Sequence, residues 1–141
     1  LTLTVSPTPD YRVTNPENQH KYLVVDAPAG WHEANDYCSS LGAHLVTIQS
    51  AVENQFVSRM AHAMWLGATD DVQEGVWVWV TGEPWSYSNW YPGEPNNCCP
   101  AQFCGPQECT PESYLTVDDT GQWNDTPDGQ MNFVCEWDRV P

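Results

Sequence analysis

The sequence predicts an α+β domain in which two helices come first and short antiparallel strands with long loops follow. Apolar residues recur at helical spacing from Trp31 and again after Ser50, whereas the rest of the chain holds only short runs rich in β-branched and aromatic residues. The chain has 141 residues, enough for one domain with its own core. We therefore expect a single domain over residues 1–141.

The first residues allow two interpretations. Residues 1–16 alternate Thr, Val and Leu and then become proline-rich, which is typical of an edge strand or of a linker from a preceding domain. No secretion signal is visible, so we expect Leu1 to begin a mature or trimmed chain. The apolar run Tyr22–Val25 predicts a strand that ends at the turn around Pro28 and Gly30.

The first helix is predicted to begin at Trp31 and to end at Gly42, a residue that suits a helix C-terminus. Its apolar face is formed by Trp31, Ala34, Cys38 and Leu41. A brief strand over Leu45–Ile48 should follow it.

The second helix begins with a capping box, in which Ser50 caps the helix and Glu53 reaches back to the N-terminus. Val52, Phe56 and Met60 should line its apolar face. We assign both helices to the scaffold.

Short apolar runs predict the remaining strands, at Met64–Ala68, Val76–Val80, Leu115–Val117 and Phe133–Trp137. The run Val76–Val80 alternates Val and Trp, which indicates a two-faced strand that another element must cover.

Charge and cysteine content limit the class of partner and the compartment. The chain carries 19 acidic and 4 basic residues, a net charge of −15, so its field would repel nucleic acid and anionic membrane surfaces and attract cations. Simple solubility or a high-salt habitat would explain the same charge. Six cysteines without a membrane-spanning run indicate an oxidising compartment, and hence a secreted, extracellular or cell-surface protein without membrane insertion.

The loop region from Gly93 to Asp125 holds a set of hard oxygen donors. The set is Glu94, Asn96, Glu112, Asn124 and Asp125. Three carboxylates and two amides suit Ca²⁺, which takes six to eight oxygen ligands and so would keep positions for a further ligand. Carboxylates accept and amides donate hydrogen bonds, so a Glu/Asn pair can hold a hydroxyl from both sides. A cis bond at Pro95 could aim both of its neighbours at one ion.

These motifs resemble those of a known family. Glu94-Pro95-Asn96, Glu112 and Trp123-Asn124-Asp125 are similar to the calcium and sugar site of C-type lectin domains, in the variant linked to mannose-type sugars. The resemblance extends over Tyr22–Trp137 and implies the C-type lectin-like fold. It also implies that the five donors bind Ca²⁺ and vicinal sugar hydroxyls together. The alternative is two simple turns, because Pro, Asn and Asp favour turns.

The resemblance extends to an accessory calcium site formed by Asp70, Glu74 and Asn97. Ser113 stands where the family usually has a carboxylate, and lower ligand charge weakens calcium binding. A solvated acidic loop is an equal alternative for this segment.

The six cysteines fall into two groups. Cys38 and Cys135 match the long-range disulfide of the family, while Tyr114 stands where its other usual disulfide would have a partner. The remaining cysteines, Cys98, Cys99, Cys104 and Cys109, lie in a cysteine-rich insertion over residues 98–111. Four cysteines allow three pairings, and we expect the adjacent pair to bond outward; a zinc site is the alternative. The insertion could extend or block the sugar position, or bind a protein partner.

Two further observations concern the ligands. Asn124-Asp125-Thr126 is formally a glycosylation sequon, and a glycan on Asn124 would remove that ligand. The four histidines are scattered without a helical metal motif, so we assign none of them to a metal.

Three functions are compatible with these residues. We favour a calcium-dependent module that binds mannose-type sugars with equatorial 3- and 4-hydroxyls: mannose, glucose, N-acetylglucosamine and fucose. The second is a protein- or ice-binding domain with structural calcium. The third is a hydrolase with paired carboxylates, which we reject because ligands committed to calcium are poor proton shuttles. Trp85 and Trp90 could stack on a sugar ring, but we expect both in the core.

Overall fold

The computed structural model describes residues 10–97 and 111–138. This part of the chain contains helices α1 (Trp31–Ser40) and α2 (Ala51–Ser58). Its strands are β1 (Val13–Thr14), β2 (Lys21–Ala29), β3 (His44–Leu45), β4 (Met64–Thr69), β5 (Val78–Trp79), β6 (Tyr114–Val117), β7 (Trp123–Thr126) and β8 (Met131–Trp137). The α+β prediction is confirmed.

The strands form one mixed sheet in the order β1-β2-β8-β4-β6-β7, with β3 paired to β8 and β5 paired to β4. Most pairs are antiparallel, as predicted, but β4 and β8 run parallel, with Trp65 opposite Phe133. The all-antiparallel prediction was wrong at this pair, because a strand pattern shows which face is buried and not which distant strand lies beside it.

The N-terminal segment forms a short edge strand where it is described. Val13 pairs with Tyr22 at the outer side of β2, so Val13–Thr14 form the edge of the sheet. Strand β2 is longer than predicted and continues through Pro28. Residues 1–9 lie outside the described residues.

Helix α1 matches its predicted start and buries Trp31, Ala34 and Cys38. Leu41 was expected on the same face, but it is the C-cap and is exposed, because the helix ends at Ser40, one residue before the last residue of the apolar pattern. Gly42 follows with a φ of 76°, a conformation that favours glycine and ends the helix.

Helix α2 begins as the capping box predicts, since the Glu53 N–H donates to Ser50 Oγ at 3.1 Å. The Glu53 carboxylate reaches back one residue further than expected and accepts from the Gln49 N–H at 2.7 Å. The predicted apolar face was wrong at Val52, which is 49% exposed, whereas Val57 is buried. Polar contacts therefore rotate the helix so that Glu53 and Asn54 face the core.

The observed strands differ from the predicted ones mainly in length. β4 is buried throughout and confirms its predicted run; β6 and β8 lie where they were expected. In the Val/Trp segment only Val78–Trp79 pairs, yet the alternation holds, because Trp77 and Trp79 are buried while Val76 and Val78 are exposed. β3 is His44–Leu45, so it overlaps the predicted strand Leu45–Ile48 only at Leu45.

Two apolar clusters fill the core. The larger contains buried Trp77, Trp79 and Trp123, against which Trp85 and Trp90 pack. The Trp79 and Trp85 rings stack with centroids 4.8 Å apart. Trp85 and Trp90 thus belong to the core that supports β7, as expected.

The smaller core cluster contains the predicted long-range disulfide. Cys38 of α1 is bonded to Cys135 of β8 across 97 residues of sequence. The disulfide fixes the first helix on the central strand of the sheet.

Candidate functional site

The loop before the cysteine-rich insertion is fixed by backbone hydrogen bonds. Tyr91 N donates to Trp123 O at 2.8 Å, and Glu94 N donates to Tyr91 O at 2.9 Å. The Glu94–Pro95 peptide bond is cis, the geometry that the sequence allowed. These contacts hold the Glu94-Pro95-Asn96 segment against β7.

Strand β7 distributes the Trp-Asn-Asp motif over its two faces. Side chains alternate along a strand, so Trp123 and Asp125 are buried while Asn124 is exposed. The sequence analysis did not predict this strand, because Trp123–Thr126 has too few β-branched residues to stand out. The strand arrangement leaves Asn124 open to a ligand and places Asp125 beneath the loop.

Asp125 joins the loop to the strand. Its side chain accepts from the Asn96 N–H at 3.2 Å through Oδ1 and from the Asn97 N–H at 2.6 Å through Oδ2. Asn97 in turn accepts the Glu112 N–H on Oδ1 at 3.2 Å. The residues before and after the insertion therefore meet at one place.

Glu94 lies among like charges. Burial raises the pKa of Glu94 to about 7, and the hydrogen bond and charge of Asp125 and the charge of Glu112 add to the shift. Its Oε1 atom is buried and has no hydrogen-bond partner among the residues that the structure describes. A buried acceptor without a donor costs about 1–3 kcal/mol. A cation held by these oxygens would remove that cost, so the donor set fits Ca²⁺.

The accessory acidic residues adjoin this set. Asp70 is buried and accepts the Gly75 N–H on Oδ2 at 2.9 Å, while its Oδ1 has no hydrogen-bond partner within residues 10–97 and 111–138. Desolvation, the charge and hydrogen bond of Asp70 and the charge of Asp125 raise the pKa of Glu74. Glu74 therefore faces Asp70 and the Asp125 side of the loop.

A cleft of about 350 Å³ opens beside the loop, and its lining includes Glu94, Asn124 and Tyr91. The insertion over residues 98–111 falls almost wholly outside the described residues. The predictions about Cys98, Cys99, Cys104 and Cys109, their pairing and their effect on the site therefore concern residues outside that part of the chain.

Sequence reasoning missed Asn54 as a support for the site. Asn54 Oδ1 accepts from Trp123 Nε1 at 2.8 Å, and Asn54 Nδ2 donates to Gly121 O at 2.8 Å. The sequence offers no pattern for this contact, because it shows only a single Asn on a helix that was assigned to the scaffold. The Asn54 side chain links α2 to the start of β7, the strand that carries Asn124 and Asp125.

Comparison with known proteins agrees with the fold. The family model "Lectin C-type domain" matches residues 27–137. The chain is 32% identical over 121 residues to human C-type lectin domain family 4 member K, covering 81% of this chain and 34% of that protein. It is 34% identical over 122 residues to lectin BRA-3 of Megabalanus rosa, covering 83% of this chain and 70% of that protein. The chain thus spans about a third of the length of the human relative.

Among solved structures, the cow C-type carbohydrate-recognition domain of CD23 superposes with a TM-score of 0.79 at 26% identity. The superposition covers 97% of this chain and 100% of that one. The fold and the matched residues define a C-type lectin domain. The chain belongs to the C-type lectin domain family, which is a family of binding domains and not of enzymes.

Two further features concern the compartment of the protein and its relation to membranes. A disulfide-bonded domain of this family is consistent with an extracellular or secreted location. None of the helices in the described part of the chain is long and apolar enough to cross a membrane.

Proposed function

We propose that this domain binds carbohydrate in a calcium-dependent manner and prefers mannose-type sugars. The observation that carries the proposal is the buried Oε1 of Glu94, which has no hydrogen-bond partner among the described residues and lies near the charges of Asp125 and Glu112. A buried carboxylate oxygen without a donor, close to two further carboxylates, is typical of a cation site. The proposed ligands are Glu94, Asn96, Glu112, Asn124 and Asp125.

The side chains divide into two roles. The oxygens of Asp125 hold the loop through the Asn96 and Asn97 N–H groups. Glu94, Asn96, Glu112 and Asn124 are the sugar ligands, since their carboxylates accept from hydroxyls and their amides donate to them. When bound, Ca²⁺ would supply an electrophilic centre for two vicinal hydroxyls.

The sugar preference rests on the Glu94-Pro95-Asn96 order together with Asn124. In the related family this order accompanies equatorial 3- and 4-hydroxyls, and the CD23 relative was solved in the presence of GlcNAc2Man3 oligosaccharide. A single sugar ring offers little apolar area, so we expect dissociation constants of roughly millimolar order, strengthened by multivalency.

A glycan array probed with and without calcium tests the proposal. We expect mannose- and fucose-terminated glycans to be bound in calcium and released by EDTA. Asp125→Asn should abolish binding, whereas Asp36→Asn, which changes an exposed carboxylate on α1, should leave it unchanged. Binding that is indifferent to EDTA, or absent from the folded domain, would favour a protein- or ice-binding domain instead.

We also propose that Asp70, Glu74 and Asn97 hold a second, weaker Ca²⁺. The buried Oδ1 of Asp70, which has no hydrogen-bond partner in the part of the chain that the structure describes, supports it. Ser113 in place of a carboxylate lowers the ligand charge. Calcium titration by calorimetry should then show two binding steps, of which Asp70→Asn removes the weaker. A single step in the unmodified protein would refute the second ion.

A further inference from the structure

Three strands bring two histidines and two carboxylates to one face of the sheet. β3 pairs with β8 so that His44 lies opposite Glu136. β2 pairs with the other side of β8 so that Tyr22 lies opposite Glu136 and Lys21 opposite Trp137. His20 therefore lies level with Asp138, which shares the face of Glu136 because residues two apart in a strand point the same way.

The side chains of these residues are in contact. His20 Nδ1 is 2.6 Å from Glu136 Oε2 and 3.6 Å from Asp138 Oδ1. His44 Nε2 is 2.7 Å from Asp138 Oδ1 and 3.8 Å from Glu136 Oε1. One donor atom each from His20, Glu136 and Asp138 lies within 4.8 Å of the others.

These separations are close to those of a zinc site. Zinc bonds of ~2.1 Å in a tetrahedron place neighbouring donor atoms about 3.4 Å apart. Two of the observed contacts, at 2.6 and 2.7 Å, are shorter than that value, and two, at 3.6 and 3.8 Å, are longer. His20, Glu136 and Asp138 already offer donor atoms within 4.8 Å of one another, and a rotation of the His44 side chain, which touches Asp138, would complete a tetrahedral set.

The hydrogen bonds around the group orient its donors. His44 Nδ1 lies 2.8 Å from Leu45 O, which can only accept, so Nδ1 carries the proton. The lone pair of a neutral His44 then lies on Nε2, which faces the carboxylate of Asp138. The lone pairs of His44 Nε2 and Asp138 Oδ1 would repel each other at 2.7 Å, so either a proton or a metal ion must lie between the two atoms. A backbone carbonyl that fixes the far nitrogen is the usual support of a metal-bound histidine.

Glu136 is held just as firmly. Its side chain is only 1% exposed, and its Oε1 accepts from the Thr47 N–H at 3.1 Å. The other oxygen is left to face His20. A divalent cation bound here would balance the charge of the two carboxylates in their ionised form.

We propose that His20, His44, Glu136 and Asp138 form a binding site for a divalent transition metal, with Zn²⁺ as the first choice. Imidazole nitrogens suit zinc and its neighbours, whereas calcium takes oxygen ligands. The site is separate from the sugar loop and does not depend on its function. It would fasten the start of β2 and the end of β8 beside the Cys38–Cys135 disulfide.

Zinc titration of the calcium-saturated domain tests the proposal, after other transition metals have been removed with a chelator. We expect one ion per chain, and Co²⁺ should give the visible absorption of a tetrahedral site without thiolate bands. His20→Gln and His44→Gln should each weaken zinc binding by at least about tenfold. Asp138→Asn, which changes a half-exposed side chain, should act likewise and carries little risk to folding.

His62→Gln is the matched control, because His62 also lies beside a carboxylate, 3.3 Å from Asp119, but is 95% exposed and has no second pair near it among the described residues. It should leave zinc binding unchanged. No saturable zinc binding would assign the four contacts to ordinary ion pairs. Binding that survives both His20→Gln and His44→Gln would place the ion elsewhere, for example on the cysteine-rich insertion. Either result overturns the proposal.

Discussion

Asn97 and Asp125 are joined by a 2.6 Å hydrogen bond from backbone N–H to carboxylate, across 28 residues of sequence. This contact fixes the loop that precedes the cysteine-rich insertion against β7. With the neighbouring bond from Asn96, it makes one fully buried carboxylate the meeting point of both sequence motifs. Asp125 therefore serves the order of the loop as well as the proposed binding of calcium.

Asp125→Asn should disrupt both roles. The substitution turns one carboxylate oxygen into an NH₂ group that faces a backbone N–H, at a cost of about 1–3 kcal/mol. We expect a lower Tm in EDTA and no rise in Tm when calcium is added. Thermal unfolding with and without calcium measures this, with Asp36→Asn as control. A calcium-induced rise equal to that of the unmodified protein would contradict the assignment.

Exchanging Glu94→Gln and Asn96→Asp together should move the sugar preference toward galactose. The exchange reverses which of the two positions accepts and which donates a hydrogen bond, while the residue between them is kept. Competition by free mannose and galactose on a sugar resin measures the change. An unchanged sugar profile would count against this placement of the sugar site.

Asn54→Ala should destabilise β7 from the opposite side of the core. It leaves the buried Trp123 Nε1 without its acceptor, while Gly121 O keeps the hydrogen bond from Asn89 Nδ2. The unpaired indole N–H predicts a loss of about 1–3 kcal/mol in the free energy of unfolding. Gln55→Ala, at an exposed position on the same helix, should cost little. Urea unfolding compares the two, and equal midpoints would show that the Asn54 contacts contribute nothing.

Replacing Cys38 and Cys135 together by Ser should lower the free energy of unfolding by about 4–5 kcal/mol in the chain-entropy model, because the bond closes a loop of 97 residues. That is a large part of the ~5–15 kcal/mol typical of a domain. Denaturant unfolding measures it. A loss below about 1 kcal/mol would mean that packing of α1 on β8 already holds these residues together.

Local patterns predicted the parts of the fold that local physics decides. Ser50 capped its helix, Gly42 ended the other, and the Val/Trp alternation correctly indicated two faces, of which the one with Trp77 and Trp79 is buried. The errors lie where distant contacts decide. Val52 is exposed because Glu53 and Asn54 bond to residues far away in sequence, and the parallel pairing of β4 with β8 depends on the whole chain.

The candidate site shows the same division. The two motifs predict Glu94, Asn96, Asn124 and Asp125 as ligands because their residue types already indicate oxygen donors, and the structure brings the Glu94–Asn97 loop and Asp125 together. The support from Asn54 could not be predicted, since one buried amide has no sequence pattern. The group of His20, His44, Glu136 and Asp138 was missed because its members come from three strands and share no local motif.

Calorimetric titration of methyl α-mannoside into the folded domain measures whether sugar binding depends on calcium. We expect saturable binding of about one sugar per chain in calcium, with a dissociation constant of roughly millimolar order, and complete loss of heat in EDTA. Heats in calcium that are the same as those in EDTA would contradict this expectation.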